Sequence, residues 1–244
     1  MLILIDHTNI DLIRETLDYL PIDGVTTNPT ILANEGGDPL EVLRKIHSVL
    51  PEGSQLHVQV VSHDRESMVA EGRALRAEFG KHLHVKIPVT HEGFAAINML
   101  ASEGIPVTAT GVHSTLQGFM AAQAGARYVA PYVNRMDNFG INGVRVATEI
   151  HQILRTHHLH ADVLAASFKN SDQVLRLVEA GIGAITAAPS VLAALVANPI
   201  TDVAIAAQDA DFARQVGGEE TFSDLIALAH QRDQQSLKVA QPEL

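Results

Sequence analysis

One pattern restricts the fold of this chain more than any other: a short apolar run followed by a longer amphipathic stretch, repeated eight times. Apolar alternation predicts strands over 2–6, 24–28, 55–61, 83–89, 106–112, 128–133, 161–168 and 184–188. Helical periodicity predicts helices over 9–20, 39–50, 64–79, 91–102, 114–124, 144–157, 171–180 and 190–197. The punctuation agrees: Asn9 is a capping residue, Pro39 suits a first turn, and Gly104 and Gly181 follow helix ends. Eight strand-then-helix units in about 200 residues close into a (β/α)8 (TIM) barrel. An open doubly wound sheet is the main alternative, but no glycine-rich phosphate loop follows the first strand. The barrel fills residues 1–199. Two more helical stretches, 201–216 and 223–239, make a C-terminal segment over 200–244 that packs on the barrel or on a neighbouring subunit.

Composition removes several classes of function. A net charge of −11 argues against a nucleic-acid binder, whose footprint would be basic. With no cysteine there is no disulfide or thiol chemistry, which fits a cytoplasmic protein. No apolar stretch is long enough to span a bilayer, and Asp6 interrupts the opening apolar run too early for a signal peptide.

Active sites of such barrels lie where the strands end. Near those ends stand Asp6, Asn28, Gln59, Lys86, Thr110, Tyr132 and Ser167, one from each of seven strands. Taken singly, each has an ordinary structural explanation as a cap, a turn residue or a satisfied polar group. Lys86 changes the weighing. Its neighbours Val85 and Ile87 share one face of the strand, so Lys86 faces the other way, into the barrel. An amine there can add to a carbonyl and form a Schiff base. Losing water from the carbinolamine requires a proton donor and acceptor nearby, which Gln59, Thr110 and Tyr132 can hold through an ordered water. Asp6 suits a donor hydroxyl or a proton. Arg135 offers a fork for phosphate, with the Ser167 hydroxyl opposite and Lys169 a weaker candidate.

Several segments resemble the transaldolase family, in particular its small fructose-6-phosphate aldolase branch. They are Gly24-Val25-Thr26-Thr27-Asn28-Pro29, Val85-Lys86-Ile87-Pro88-Val89-Thr90, Glu103-Gly104-Ile105-Pro106, the run from Tyr128 to Arg135, and Leu164-Ala165-Ala166-Ser167-Phe168-Lys169. The likeness runs from Asp6 to about Ala207 and implies a Schiff-base lysine at Lys86. It implies that Asp6 and Asn28 hold donor hydroxyls and that Gln59, Thr110 and Tyr132 position the catalytic water, with Tyr132 the main acid/base. Arg135 and Ser167 would bind the acceptor phosphate, and Thr26 and Thr108 complete the substrate-binding set. Transaldolases of the family typically carry Glu at the position of Gln59 and Phe at that of Tyr132. Both residues here resemble the aldolase branch, so the expected reaction is cleavage or formation of a ketose phosphate such as fructose 6-phosphate from dihydroxyacetone and glyceraldehyde 3-phosphate. Transfer of the dihydroxyacetone unit between sugar phosphates, or a sulfosugar substrate, is the alternative. The resemblance also implies a homo-oligomer, a pentamer or decamer, and small-molecule sugar phosphates as the only partners.

Four positions depart from the resemblance. Thr108 stands where the aldolase branch has an apolar residue, His113 replaces a common tyrosine, and His57 and His84 face inward two residues below site residues. These two histidines are expected either to bond each other or to form a polar layer that bears on the protonation of Lys86. A metal is not expected: His82 and His84 make an H-x-H pair with no third ligand nearby, and His157, His158 and His160 fall in a loop at the barrel's far end. No other cofactor is implied. A non-catalytic sugar-phosphate-binding barrel would not need Lys86, Tyr132, Gln59 and Asp6 together. An isomerase would want a glutamate base at a strand end, and none stands there.

Overall fold

The computed structural model describes residues 1–239. The chain divides into a unit comprising Met1–Val196 and a second unit beginning at Ala197. In the first, strands β1 (Leu2–Asp6), β2 (Gly24–Thr26), β3 (Gln55–Gln59), β4 (Leu83–Pro88), β5 (Val107–Val112), β6 (Tyr128–Pro131), β7 (Asp162–Ala165) and β8 (Ala184–Ala187) pair in sequence order, and β8 closes back on β1. All pairings are parallel, so this is a (β/α)8 barrel. Its helices are α1 (Ile10–Tyr19), α2 (Pro29–Glu35), α3 (Pro39–Val49), α4 (Arg65–Phe79), α5 (His91–Ser102), α6 (Thr115–Gln123), α7 (Val133–Asp137), α8 (Gly143–Thr156), α9 (Ser171–Glu179) and α10 (Pro189–Val196). The second unit contributes α11 (Pro199–Val216) and α12 (Phe222–Val239).

Two helices escape the periodicity reading. α2 buries none of its seven residues, so it carries no amphipathic signal, although Asn28 caps it and Pro29 opens it. α7 has only five residues, begins with Val133 and follows a strand directly, so it reads as more strand. Both turn the chain sharply where the barrel mouth lies. As a result β2 stops at Thr26 and β6 at Pro131, and Asn28 and Tyr132 become the residues that open helices.

Strand alternation separates two packing regions. The outward residues, among them Ile5, Val25, Val85, Ile87, Val129 and Ile185, join the helix residues in one buried apolar cluster. Inside the barrel, Leu4, Tyr128, Leu164 and Ala184 form a small apolar cluster of their own. α5 presses against the end of the strand that bears Lys86. A Cβ at Gly93 would stand 1.9 Å from the Pro88 carbonyl oxygen, so only glycine permits that approach. Arg65 on α4 and Glu92 on α5 form a two-bond pair at 2.7 and 2.8 Å beside the same strand.

The barrel interior is polar below the mouth. His57 and His84 are Cα partners in register, and their rings stack at 4.5 Å with 7° between planes rather than bonding each other. His57 instead reaches Thr108 Oγ1 and Gln55 Oε1, each at 2.9 Å. An amide oxygen only accepts, so Nε2 carries the His57 proton and Nδ1 accepts from the Thr108 hydroxyl. Gln55 in turn donates to the Tyr128 hydroxyl at 3.1 Å. A hydrogen-bonded column thus runs through the barrel from Tyr128 to Thr108. Burial is the main force pushing His57 well below the usual imidazole range, and the nearby charges of His84 and Lys86 add to it. Burial likewise pushes His84 down to about 4, against the opposing effect of its bond to the His82 carbonyl.

Candidate active site

Lys86 sits on β4 with Gln59 of β3 and Thr108 of β5 as its register partners. It is only 5% exposed. Its Nζ donates to the Thr27 carbonyl at 2.7 Å. Thr27 is itself locked to β3, since its hydroxyl and its N–H both reach the His57 carbonyl. The amine is therefore held at a defined place inside the barrel, one strand from each of two polar neighbours.

A cavity of about 310 Å³ is lined by Gln59, the register partner of Lys86, and by Pro88, two residues beyond it on β4, together with Asn28, Pro29, Thr30, Thr110, Gly111, His113, Tyr132 and Arg135; Lys86 itself is not on its wall. Thr110 Oγ1 and Tyr132 Oη lie 2.6 Å apart, the short hydrogen bond of a pair that can pass a proton. The Arg135 guanidinium lies over the Tyr132 ring at 4.5 Å from its centroid. Asn28 spends its carbonyl oxygen on the Ile31 N–H as the cap of α2, which leaves its NH2 for a ligand. No carboxylate lines this cavity, and its wall carries the guanidinium of Arg135. Larger concavities among the described residues, one of about 550 Å³ beside Asp137 and Arg176 and one of about 730 Å³ beside Phe212 and Phe222, do not gather residues from several strand ends.

The remaining sequence candidates lie around or beneath this wall. Asp6 accepts from the Thr26 hydroxyl at 2.7 Å, and Thr26 accepts in turn from Thr186 at the same distance. Asp6 is thus held ready at the rim, while Thr26 is fully buried and acts on Asp6. Thr108 was expected to meet the donor, but it is fully buried and its hydroxyl is committed to His57. Ser167 does not line the cavity. Its φ of 62° places it in the left-handed region, and its carbonyl accepts from the N–H of Asn134, next to Arg135. Lys169 is absent from the wall as well. Among the described residues, no cluster of three or more His, Asp and Glu side chains is placed to hold a metal ion. No single helix there is long and apolar enough to cross a membrane.

Four contributors lie outside the sequence reading. The Thr27 carbonyl is a backbone atom and leaves no mark in the sequence. Thr186 was readable in principle, because alternation along β8 turns it inward toward Thr26. Gln55 and Tyr128 carry the interior column, and only the shared inward parity of their strands hinted at it.

Comparison with known proteins matches this chain to one family. The family described as transaldolase/fructose-6-phosphate aldolase matches residues 3–241. A probable transaldolase of Hydrogenobaculum sp. is 39% identical over 201 residues, covering 82% of this chain and 91% of its own. A probable fructose-6-phosphate aldolase of Streptococcus pneumoniae is 36% identical over 203 residues, covering 83% and 91%. Among solved structures, a flavocytochrome b2 variant with pyruvate bound superposes with a TM-score of 0.56 at 15% identity, over 77% of this chain and 56% of that one. That likeness concerns the barrel alone, and this chain spans about half the length of the flavocytochrome. The family match spans both units, and the relatives align over nearly their whole length. The chain belongs to the transaldolase/fructose-6-phosphate aldolase family.

Proposed function

We propose that this protein is a Schiff-base aldolase that cleaves or forms a ketose phosphate such as fructose 6-phosphate, with Lys86 as the nucleophile. The observation that carries the reading is the placing of a buried, singly bonded amine beside a cavity whose wall holds the Thr110–Tyr132 pair. The Lys86 amine adds to the ketose carbonyl, and the resulting carbinolamine loses water to give an iminium. The acceptor-side hydroxyl then gives up its proton, the carbon–carbon bond breaks, and its electron pair is delocalised into an enamine. Glyceraldehyde 3-phosphate leaves. Protonation of the enamine carbon regenerates an iminium, and water releases dihydroxyacetone and the free amine.

Tyr132 serves as the acid and base of these steps, with Thr110 and Gln59 holding the water. Asp6, supported by Thr26, and the Asn28 amide hold donor hydroxyls. Arg135 binds the phosphate, with Ser167 beside it, and Thr108 acts from beneath through His57. Two residue choices favour net cleavage over transfer. Gln59 cannot take a proton as a glutamate would, and Tyr132 supplies a hydroxyl that phenylalanine lacks.

The transfer reading draws on relatives named probable transaldolase. It differs only in that the enamine meets a second aldehyde before it is protonated. Measuring free dihydroxyacetone released from fructose 6-phosphate, with and without an added aldose phosphate acceptor, separates the two. Release without acceptor supports the aldolase. Turnover only with acceptor supports the transferase, and turnover in neither case leaves a non-catalytic sugar-phosphate binder. In the same reading the protein is cytoplasmic, binds no nucleic acid or membrane, and assembles with copies of itself. The exposed apolar residues Ile200, Val203 and Phe222 of α11 and α12 support that assembly.

A further inference from the structure

One ionisable residue at the cavity has no part in the chemistry above. His113 follows β5, where the pairing with β6 shifts register between Ala109 and Val112 and Gly111 adopts a φ of 72°. A bulge of this kind re-aims the residues that follow it. Two hydrogen bonds then fix His113. Its N–H donates to Gln117 Oε1 at 2.9 Å, and its ring Nδ1 lies 2.8 Å from the Gly111 carbonyl oxygen. A carbonyl only accepts, so Nδ1 carries a proton and Nε2 is the ring atom left to gain or lose one. The ring stands edge-on to Tyr132 at 5.5 Å and 83°, while Arg135 covers the same tyrosine at 4.5 Å. Tyr132 and Arg135 are the titratable and charged groups that share the cavity wall with His113. Gln117 from α6, Asn28 at the start of α2 and Gln59 at the end of β3 are neutral amides.

We propose that His113 is a specificity-determining residue for the acceptor's phosphate: protonated at Nε2, it joins Arg135 to match the two charges of a phosphate monoester. The proposal rests on the reading of this cavity as the sugar-phosphate site. A bound dianion favours the charged form of an imidazole on the same wall, so binding takes up a proton and weakens as pH rises. A sulfonate carries one charge where the phosphate ester carries two, and it gains correspondingly less from His113.

Sulfate is the probe, because it stays dianionic throughout the window of about pH 5.5 to 8.5 in which imidazoles change charge, so any pH dependence belongs to the protein. Calorimetric titration of the wild type should show affinity falling on the order of tenfold across that window, the effect of one close charge pair in a partly solvated site. Near the middle of the window, proton uptake should appear as a difference between buffers of unlike ionisation heat. His113→Gln should bind weakly and His113→Lys strongly, both without the pH dependence. Wild-type binding that needs Arg135 but ignores pH would overturn the role of His113 alone. Retention of the full pH dependence in His113→Gln would do the same. If sulfate does not bind, or if Arg135→Gln leaves its binding unchanged, the anion-site reading of the cavity fails and this proposal fails with it.

Discussion

Acidification should destabilise this protein before its carboxylates begin to protonate, and the source should be the two stacked imidazoles inside the barrel. Among the described residues, His57 and His84 are the histidines that are buried. In the unfolded chain each takes up a proton near about pH 6.5, the ordinary imidazole value. In the folded chain His84 resists protonation until about 4, and His57 lies well below the usual range. Below about pH 6.5 the unfolded state therefore binds more protons, and stability falls as pH falls, by about 1.4 kcal/mol per unit for each group. The loss from His84 ends once pH passes its folded value of about 4. Between about pH 7 and pH 5 His84 should cost roughly 2 kcal/mol, and His57 adds in the same direction. Half-buried His151, also shifted down by burial, adds in the same direction. Urea unfolding at fixed protein concentration reads this directly. For a slope near the upper end of the usual range, His84 alone should lower the midpoint by roughly 0.7 M. The double variant His57→Phe, His84→Val should keep most of its pH 7 midpoint at pH 5, whatever its absolute stability. An unchanged wild-type midpoint, or an equal drop in the double variant, would refute the reasoning.

Other outcomes follow from the same geometry. Tyr132→Phe removes the hydroxyl bonded to Thr110 and should lower cleavage by about 100-fold or more in a coupled release assay. Gln59→Glu restores a carboxylate beside Lys86 and should raise the ratio of transfer to free release, measured with and without an aldose phosphate acceptor. Gly93→Ala would drive a Cβ into the Pro88 carbonyl at the end of β4, costing about 2 kcal/mol or more in thermal unfolding and disturbing the strand that carries Lys86. The double histidine variant should also show a shifted pH profile of activity, since the column from Tyr128 to Thr108 ends beside Lys86.

The barrel was legible because eight repeats of one pattern leave few other ways to bury eight strands on both faces. Lys86 was legible because strand parity turns it away from Val85 and Ile87, which are buried with the helices. The positions of Asn28 and Tyr132 were readable as strand ends, but their actual role as openers of α2 and α7 was not. A helix of five or seven residues with little or no buried face carries no period. Thr108 shows the other limit. Its inward parity was correct, yet hydrogen-bond partnership with His57 across the barrel depends on the stagger of strands, which sequence does not display. Lys86's own partner is a main-chain oxygen, the same atom in every residue type.

The most direct test of the central claim is to incubate the protein with dihydroxyacetone or fructose 6-phosphate, reduce each mixture with borohydride and locate any adduct by peptide mass spectrometry. The account predicts a stable three-carbon adduct on Lys86 from both compounds, absent in Lys86→Arg. An adduct on another lysine, or none from either compound, would contradict it.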